Sequence, residues 1–169
     1  MKRRQFLATV SVASTSPLAS CSNQYEQLLR ERKYPNINEQ TLDEAVNYLS
    51  DIPNPDITIE DFRTESVATV HIQENIIKPT YNPPLIFITP QTTVQWINKL
   101  ESENDQEYGK YHTITGVSDT AIDSDALAVN ERFEYTFTET QLFTYKCKLY
   151  DTLNMKGAVL VSDSEPARD

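Results

Sequence analysis

The sequence predicts an all-β fold, a Greek-key β-sandwich of roughly seven or eight short strands with a short N-terminal helical extension. Three observations predict it. From Ser66 onward the apolar residues alternate along short runs instead of recurring at helical spacing. Turn-forming clusters, Lys78-Pro79-Thr80-Tyr81-Asn82-Pro83-Pro84 and Pro90-Gln91-Thr92 among them, separate those runs. No helical pattern of crossover length lies between the runs, which argues against a parallel α/β architecture.

In order, residues 1–21 read as an export address. Lys2-Arg3-Arg4-Gln5-Phe6-Leu7 supplies paired arginines and an apolar pair, and the run from Leu7 to Ala19 is too short and too diluted by Ser and Thr to span a bilayer. This pattern resembles a twin-arginine signal. Leu18-Ala19-Ser20-Cys21 looks like a lipobox, which would make Cys21 the acylated first residue of a chain tethered to the outer face of the membrane.

Residues 22–65 read as a helical spacer. Tyr25, Leu28 and Leu29 share one face of a helix over Gln24 to Lys33, which Pro35 ends. Thr41 and Glu44 form a capping-box pattern ahead of Leu42, Ala45, Val46 and Leu49, and Asp51-Ile52-Pro53-Asn54-Pro55 stops that second helix. Each apolar face is narrow, so loose packing on the domain or its neighbours is expected.

The β-domain spans 66–162. Val67–Ile72, Leu85–Ile88 and Thr93–Asn98 are expected strands, and in the last of these Val94 and Trp96 point to one face. Leu100 to Lys110 is a charged loop, and Tyr111 to Thr115 a short strand carrying His112. Ser118 to Asn130 is a long polar connection with a helical turn around Asp125 to Val129. Arg132 to Phe137 alternates so that Phe133, Tyr135 and Phe137 face the core. Leu142–Cys147 and Lys156–Val161 complete the set, and 163–169 is a frayed acidic tail.

Composition narrows the function classes. A formal net charge of -10 disfavours phosphate binding, which needs clustered Lys and Arg, and removal of Lys2, Arg3 and Arg4 would deepen it, so nucleic acid is not an expected partner. Only three glycines are present, and no glycine-rich phosphate loop, Gly-x-Ser-x-Gly elbow or His-Glu-x-x-His pair occurs. An enzyme is therefore not expected. Acylation of Cys21 would leave Cys147 as a lone thiol in an oxidising compartment, where such thiols are buried and inert or bound to metal.

The chemistry-bearing residues gather late in the chain. Cys147 ends one alternating run and Met155 opens another after a short loop, which puts two soft sulfur donors on one rim of a sheet, a pattern suited to copper. Of the two histidines, His71 sits mid-strand, whereas His112 follows the long loop and should share an end of the sandwich with Cys147. Cys147 as a small core residue, Met155 as a gap-filler and His112 as a hydrogen bonder is the plainer reading of the same three.

Trp96-Ile97-Asn98, His112-Thr113, Phe133-Glu134-Tyr135-Thr136-Phe137-Thr138, Tyr145-Lys146-Cys147 and Met155-Lys156-Gly157-Ala158-Val159-Leu160-Val161 together resemble the cupredoxins, in particular plastocyanin and the halocyanins. The likeness runs from about Ser66 to Ser162. It implies a type 1 copper held by His112, Cys147 and a weak axial Met155, with a second histidine shortly after the cysteine. Tyr150 stands at that position. The resemblance thus implies electron transfer through an altered copper site, with redox proteins at the membrane as partners and a monomeric carrier. A metal-free binding module and a copper-delivery protein are the alternatives it leaves open.

Overall fold

The computed structural model describes residues 37–52, 59–75, 78–100 and 110–163. The expected signal, Cys21, the helix over Gln24 to Lys33, most of the charged loop after Leu100 and the acidic tail beyond Asp163 lie outside the described residues.

Two mixed sheets pack face to face. Among the described residues one helix, α1 (Glu39–Leu49), precedes the strands β1 (Ile59–Asp61), β2 (Val67–Asn75), β3 (Lys78–Asn82), β4 (Leu85–Ile88), β5 (Thr93–Asn98), β6 (Thr115–Gly116), β7 (Arg132–Thr136), β8 (Gln141–Lys146) and β9 (Lys156–Val161). The larger sheet has the order β1-β4-β9-β8-β6 and the smaller β3-β2-β5-β7. The pairs β1–β4, β4–β9 and β2–β5 are parallel, and the remaining ladders are antiparallel.

The core between the sheets follows from alternation. Val70 and Ile72 of β2, Val94 and Trp96 of β5, Ile86 and Ile88 of β4, Phe143 and Tyr145 of β8, and Val159 and Val161 of β9 meet in one buried cluster. Trp96 lies edge-on to Tyr145 at 5.4 Å and to Phe143 at 6.5 Å, an arrangement in which ring edges meet the faces of their neighbours. Gly157 lies beneath the Tyr145 ring, so a Cβ there would overlap the phenol.

β4 and β9 do not alternate; both are buried on two faces. Leu85 and Phe87 of β4, with Ala158 and Leu160 of β9, turn away from the inter-sheet core and pack against Ile37, Ala45 and Leu49. A strand that reads as an unbroken apolar run needs cover on both sides, and here α1 supplies the outer cover. The expectation of a loosely packed spacer is thus corrected for α1: Ala45 and Leu49 are fully buried, Tyr48 donates its hydroxyl proton to the Tyr145 carbonyl at 3.0 Å, and Lys156 pairs with Asp51 at 2.7 Å.

Other details also differ from the sequence reading. The N-cap of α1 is Asn38, whose side-chain oxygen accepts from the Thr41 amide at 3.3 Å, so the helix starts ahead of the Thr41–Glu44 pattern. Strand pairing begins at Ile59, before Ser66, because β1 aligns with β4 through Ile59 and Leu85. The stretch Lys78 to Asn82, expected as a turn, is the edge strand β3, where Pro79 is tolerated because one side of an edge strand has no ladder to donate to. Tyr111 to Thr115 forms no continuous strand, only a bridge from His112 to Leu127 and the short β6, and no helical turn forms over Asp125 to Val129. Tyr135, expected inside, is exposed, since β7 is an edge strand and only Phe133 and Phe137 reach the core.

No helix among the described residues is long and apolar enough to cross a membrane.

Candidate metal centre

β8 carries Cys147 to the end of the larger sheet, and its amide donates to the Met155 carbonyl at 3.0 Å. That bond closes the loop between the two sulfur residues. Lys148–Leu153 forms a 3-10 turn broken at Tyr150 (φ -128°, ψ 39°), and Asn154 in the left-handed region (φ 53°) turns the chain back into β9. Asparagine tolerates that region better than most residues, which suits it to the place. Two ion pairs brace the loop, Lys146 to Asp151 at 2.8 Å and Lys148 to Asp123 at 3.0 Å.

His112 is fixed independently. Its amide donates to the Leu127 carbonyl at 3.1 Å, and the Leu127 amide returns a bond to the His112 carbonyl at 2.7 Å. Asn98, fully buried at the end of β5, holds both sides of that bridge by donating to the Leu127 carbonyl at 3.0 Å and the Lys110 carbonyl at 3.3 Å. Rigid backbone on each side therefore sets where the imidazole lies.

These elements bring the sequence-predicted residues together. His112 Nδ1 lies 3.9 Å from Cys147 Sγ, and both residues are fully buried. Met155 is buried in the same cluster as Cys147. The Tyr150 ring packs at the edge of that cluster and lies against the imidazole, with centroids 5.0 Å apart and planes inclined by 36°. His71 is not part of the group; it lies within β2, paired with Asn82 and Ile97.

Thr113 belongs to the site although the sequence did not single it out. Its amide donates to Cys147 Sγ at 3.4 Å, and its hydroxyl oxygen, 3.8 Å from the same sulfur, accepts from the Lys148 amide at 3.0 Å. On the far side, buried Tyr81 donates to the Thr113 carbonyl at 2.6 Å. Burial pushes the Tyr81 phenol well above its ordinary value, and the nearby Cys147 adds to the effect, so Tyr81 remains a donor through the neutral range. The only available sequence signal for Thr113 is its position next to His112.

The donor set can be tested against copper. An imidazole nitrogen and a thiolate sulfur bonded to one metal at roughly 2.0 to 2.3 Å each, across a wide angle, lie somewhat under 4 Å apart, which the observed pair satisfies. Thiolate, thioether and imidazole are the donor types copper takes. Among the described residues no three His, Cys, Asp or Glu side chains converge, so the third donor beside His112 and Cys147 would be Met155. His112, Cys147 and Met155 fit the metal. The Tyr150 ring lies beside the His112 imidazole, three residues after Cys147 in sequence.

No family model matches the chain, and no curated protein does. Among solved structures it is similar to a purple cupredoxin from Nitrosopumilus maritimus, with 25% identity over 56% of this chain and 99% of that one, at a TM-score of 0.45. It is also similar to plastocyanin from Dryopteris crassirhizoma, with 16% identity over 56% of this chain and all of that one (100%), at 0.46. These structural neighbours are cupredoxins. A copper-containing nitrite reductase from Thermus scotoductus SA-01 matches at 21% identity and 0.45, over 58% of this chain but 23% of its own.

Proposed function

We propose that this chain is a cupredoxin-type electron carrier with an altered copper site, and not an enzyme. The copper reading rests on the 3.9 Å approach of His112 Nδ1 to Cys147 Sγ, beside the buried cluster that holds Cys147 and Met155. Bound copper would supply one-electron exchange between its Cu(II) and Cu(I) states. The chain's own residues hold the donors still: the Asn98–Leu127 ties fix His112, the Cys147 amide on Met155 closes the loop, and the Thr113 amide orients the sulfur. Ligands held by backbone bonds reorganise little when the charge on a metal changes.

Delivery of electrons belongs to the same proposal. Tyr111 and Leu149, beside His112 and Tyr150 in sequence, are exposed, and such apolar side chains suit brief docking of redox protein partners. Twin-arginine export, a lipid on Cys21 and life as a tethered monomer on the outer membrane face are the setting proposed for it. A Cys21→Ser variant is expected to leave the membrane fraction.

The test of the copper reading is retention. After loading and dialysis, the wild type is expected to keep stoichiometric copper and, on oxidation, to show a thiolate charge-transfer band. Cys147→Ala should lose both. Equal retention by the two proteins, or none by either, would remove the proposal.

A further inference from the structure

We infer that Tyr150, at the sequence position where a second histidine is expected, denies this centre a nitrogen donor for Cu(II) and so sets how far Cu(I) is preferred. The inference rests on the copper reading above and concerns which oxidation state the donors favour. Cys147 and Met155 offer thiolate and thioether sulfur, the soft donors that favour Cu(I), and His112 offers one imidazole. Cu(II) wants more nitrogen or oxygen in its plane, and among the described residues no Asp, Glu or second His joins His112 and Cys147. Tyr150 fills the expected place with a ring laid against the imidazole at 5.0 Å, in a half-buried position at the edge of the core cluster.

A second observation points the same way. The Thr113 amide is directed at Cys147 Sγ from 3.4 Å, inside a fully buried setting. A hydrogen bond onto the sulfur draws electron density from it, and burial disfavours the more highly charged metal, so both raise the stability of Cu(I) relative to Cu(II). Tyr81, donating to the Thr113 carbonyl at 2.6 Å, holds that peptide segment in place. A carrier built this way would take electrons readily and release them only to a strongly oxidising partner.

Anaerobic competition decides it, with a Cu(I)-specific chelator for one ion and a Cu(II) chelator for the other, on wild type, Tyr150→His, Tyr150→Phe and Cys147→Ala. The wild type is expected to hold Cu(I) against its chelator and to surrender Cu(II). Tyr150→His should raise Cu(II) affinity by about 10–100-fold while Cu(I) affinity moves little. Tyr150→Phe, which keeps the packed ring, should behave as the wild type does and covers the case in which the histidine variant folds poorly. Two results overturn the inference while leaving copper binding intact: wild-type Cu(II) affinity matching that of Cu(I), or a roughly tenfold loss of Cu(II) affinity in Tyr150→Phe, which would make the phenol a ligand. Failure of either ion to bind in a Cys147-dependent way overturns the copper reading itself.

Discussion

Thr113 shows how one residue serves the site from several directions. Its amide reaches Cys147 Sγ, its hydroxyl oxygen accepts the Lys148 amide, and its carbonyl accepts the Tyr81 phenol. The hydroxyl of Thr115, 3.2 Å from that of Thr113, has a single proton and lies 2.8 Å from an Asp123 oxygen, the stronger acceptor. Thr115 thus shares its one proton between the Asp123 carboxylate and the Thr113 oxygen, which leaves the Thr113 hydroxyl proton directed at the sulfur, 3.8 Å away. Thr113→Val keeps the shape but removes the acceptor for the Lys148 amide, so a stability loss of about 1–3 kcal/mol is expected, with a shift of any copper–thiolate band. Chemical denaturation and a visible spectrum check the two parts separately. An unchanged stability would mean that water satisfies the Lys148 amide. The contrast with the other site residues is physical. The gathering of His112, Cys147 and Met155 in one region was legible because each is a rare donor type, set at the ends of alternating runs. Threonine is common, and the role of Thr113 depends on bonds from β8, β3 and the loop after Cys147, which no local pattern encodes.

At the scale of elements, α1 and the loop after Cys147 make opposite cases. Leu49 of α1 is fully buried among Leu85, Phe87 and Leu160. Leu49→Ala is therefore expected to cost about 2–5 kcal/mol, whereas a loosely packed spacer would lose under about 0.5 kcal/mol. A thermal or urea transition separates these outcomes. The docking was partly legible: Leu85-Ile86-Phe87-Ile88 lacks the alternation of a one-sided strand, and that run called for a cover on the outer face. Lys78 to Asn82 was illegible because its two faces were hidden behind prolines, and edge position decides whether such a segment pairs. The loop Lys148–Leu153 is held instead by exposed charge. Lys148, and after it the Thr115 hydroxyl, hold the Asp123 carboxyl below its ordinary 3.8. A depressed folded value adds stability above the unfolded value and loses it as pH falls through the folded one, so this brace is expected to open only in acid below 3.8. Carboxyl NMR should show Asp123 titrating low in the wild type and closer to 3.8 in Lys148→Ala, with a small effect on global stability because the pair is exposed.

For the whole molecule, the aromatic core ties stability to alkaline pH. Tyr81 and Tyr145 are fully buried, and burial raises both phenols above their ordinary value of 10.0. For Tyr145 the nearby Trp96 indole N–H offsets the rise slightly, although neither the indole nitrogen nor the phenol oxygen meets a partner in hydrogen-bond geometry. The unfolded chain releases these protons near pH 10 and the folded one does not. Their contribution is thus present in full below about pH 10 and is lost as pH rises above it, by up to about 1.4 kcal/mol per pH unit for each phenol. Unfolding free energies from urea titrations between about pH 9 and about pH 11 should fall with that slope. Tyr145→Phe separates the two phenols. It removes a buried hydroxyl that lacks a hydrogen bond, so stability at neutral pH should hold or rise, while the alkaline slope should lose the share due to Tyr145. Tyr81→Phe removes a comparable share of the slope but also frees the Thr113 carbonyl, so it should cost stability at every pH. Equal behaviour of the two variants at neutral pH would mean that the Tyr81–Thr113 bond does not brace the ground beneath the cysteine.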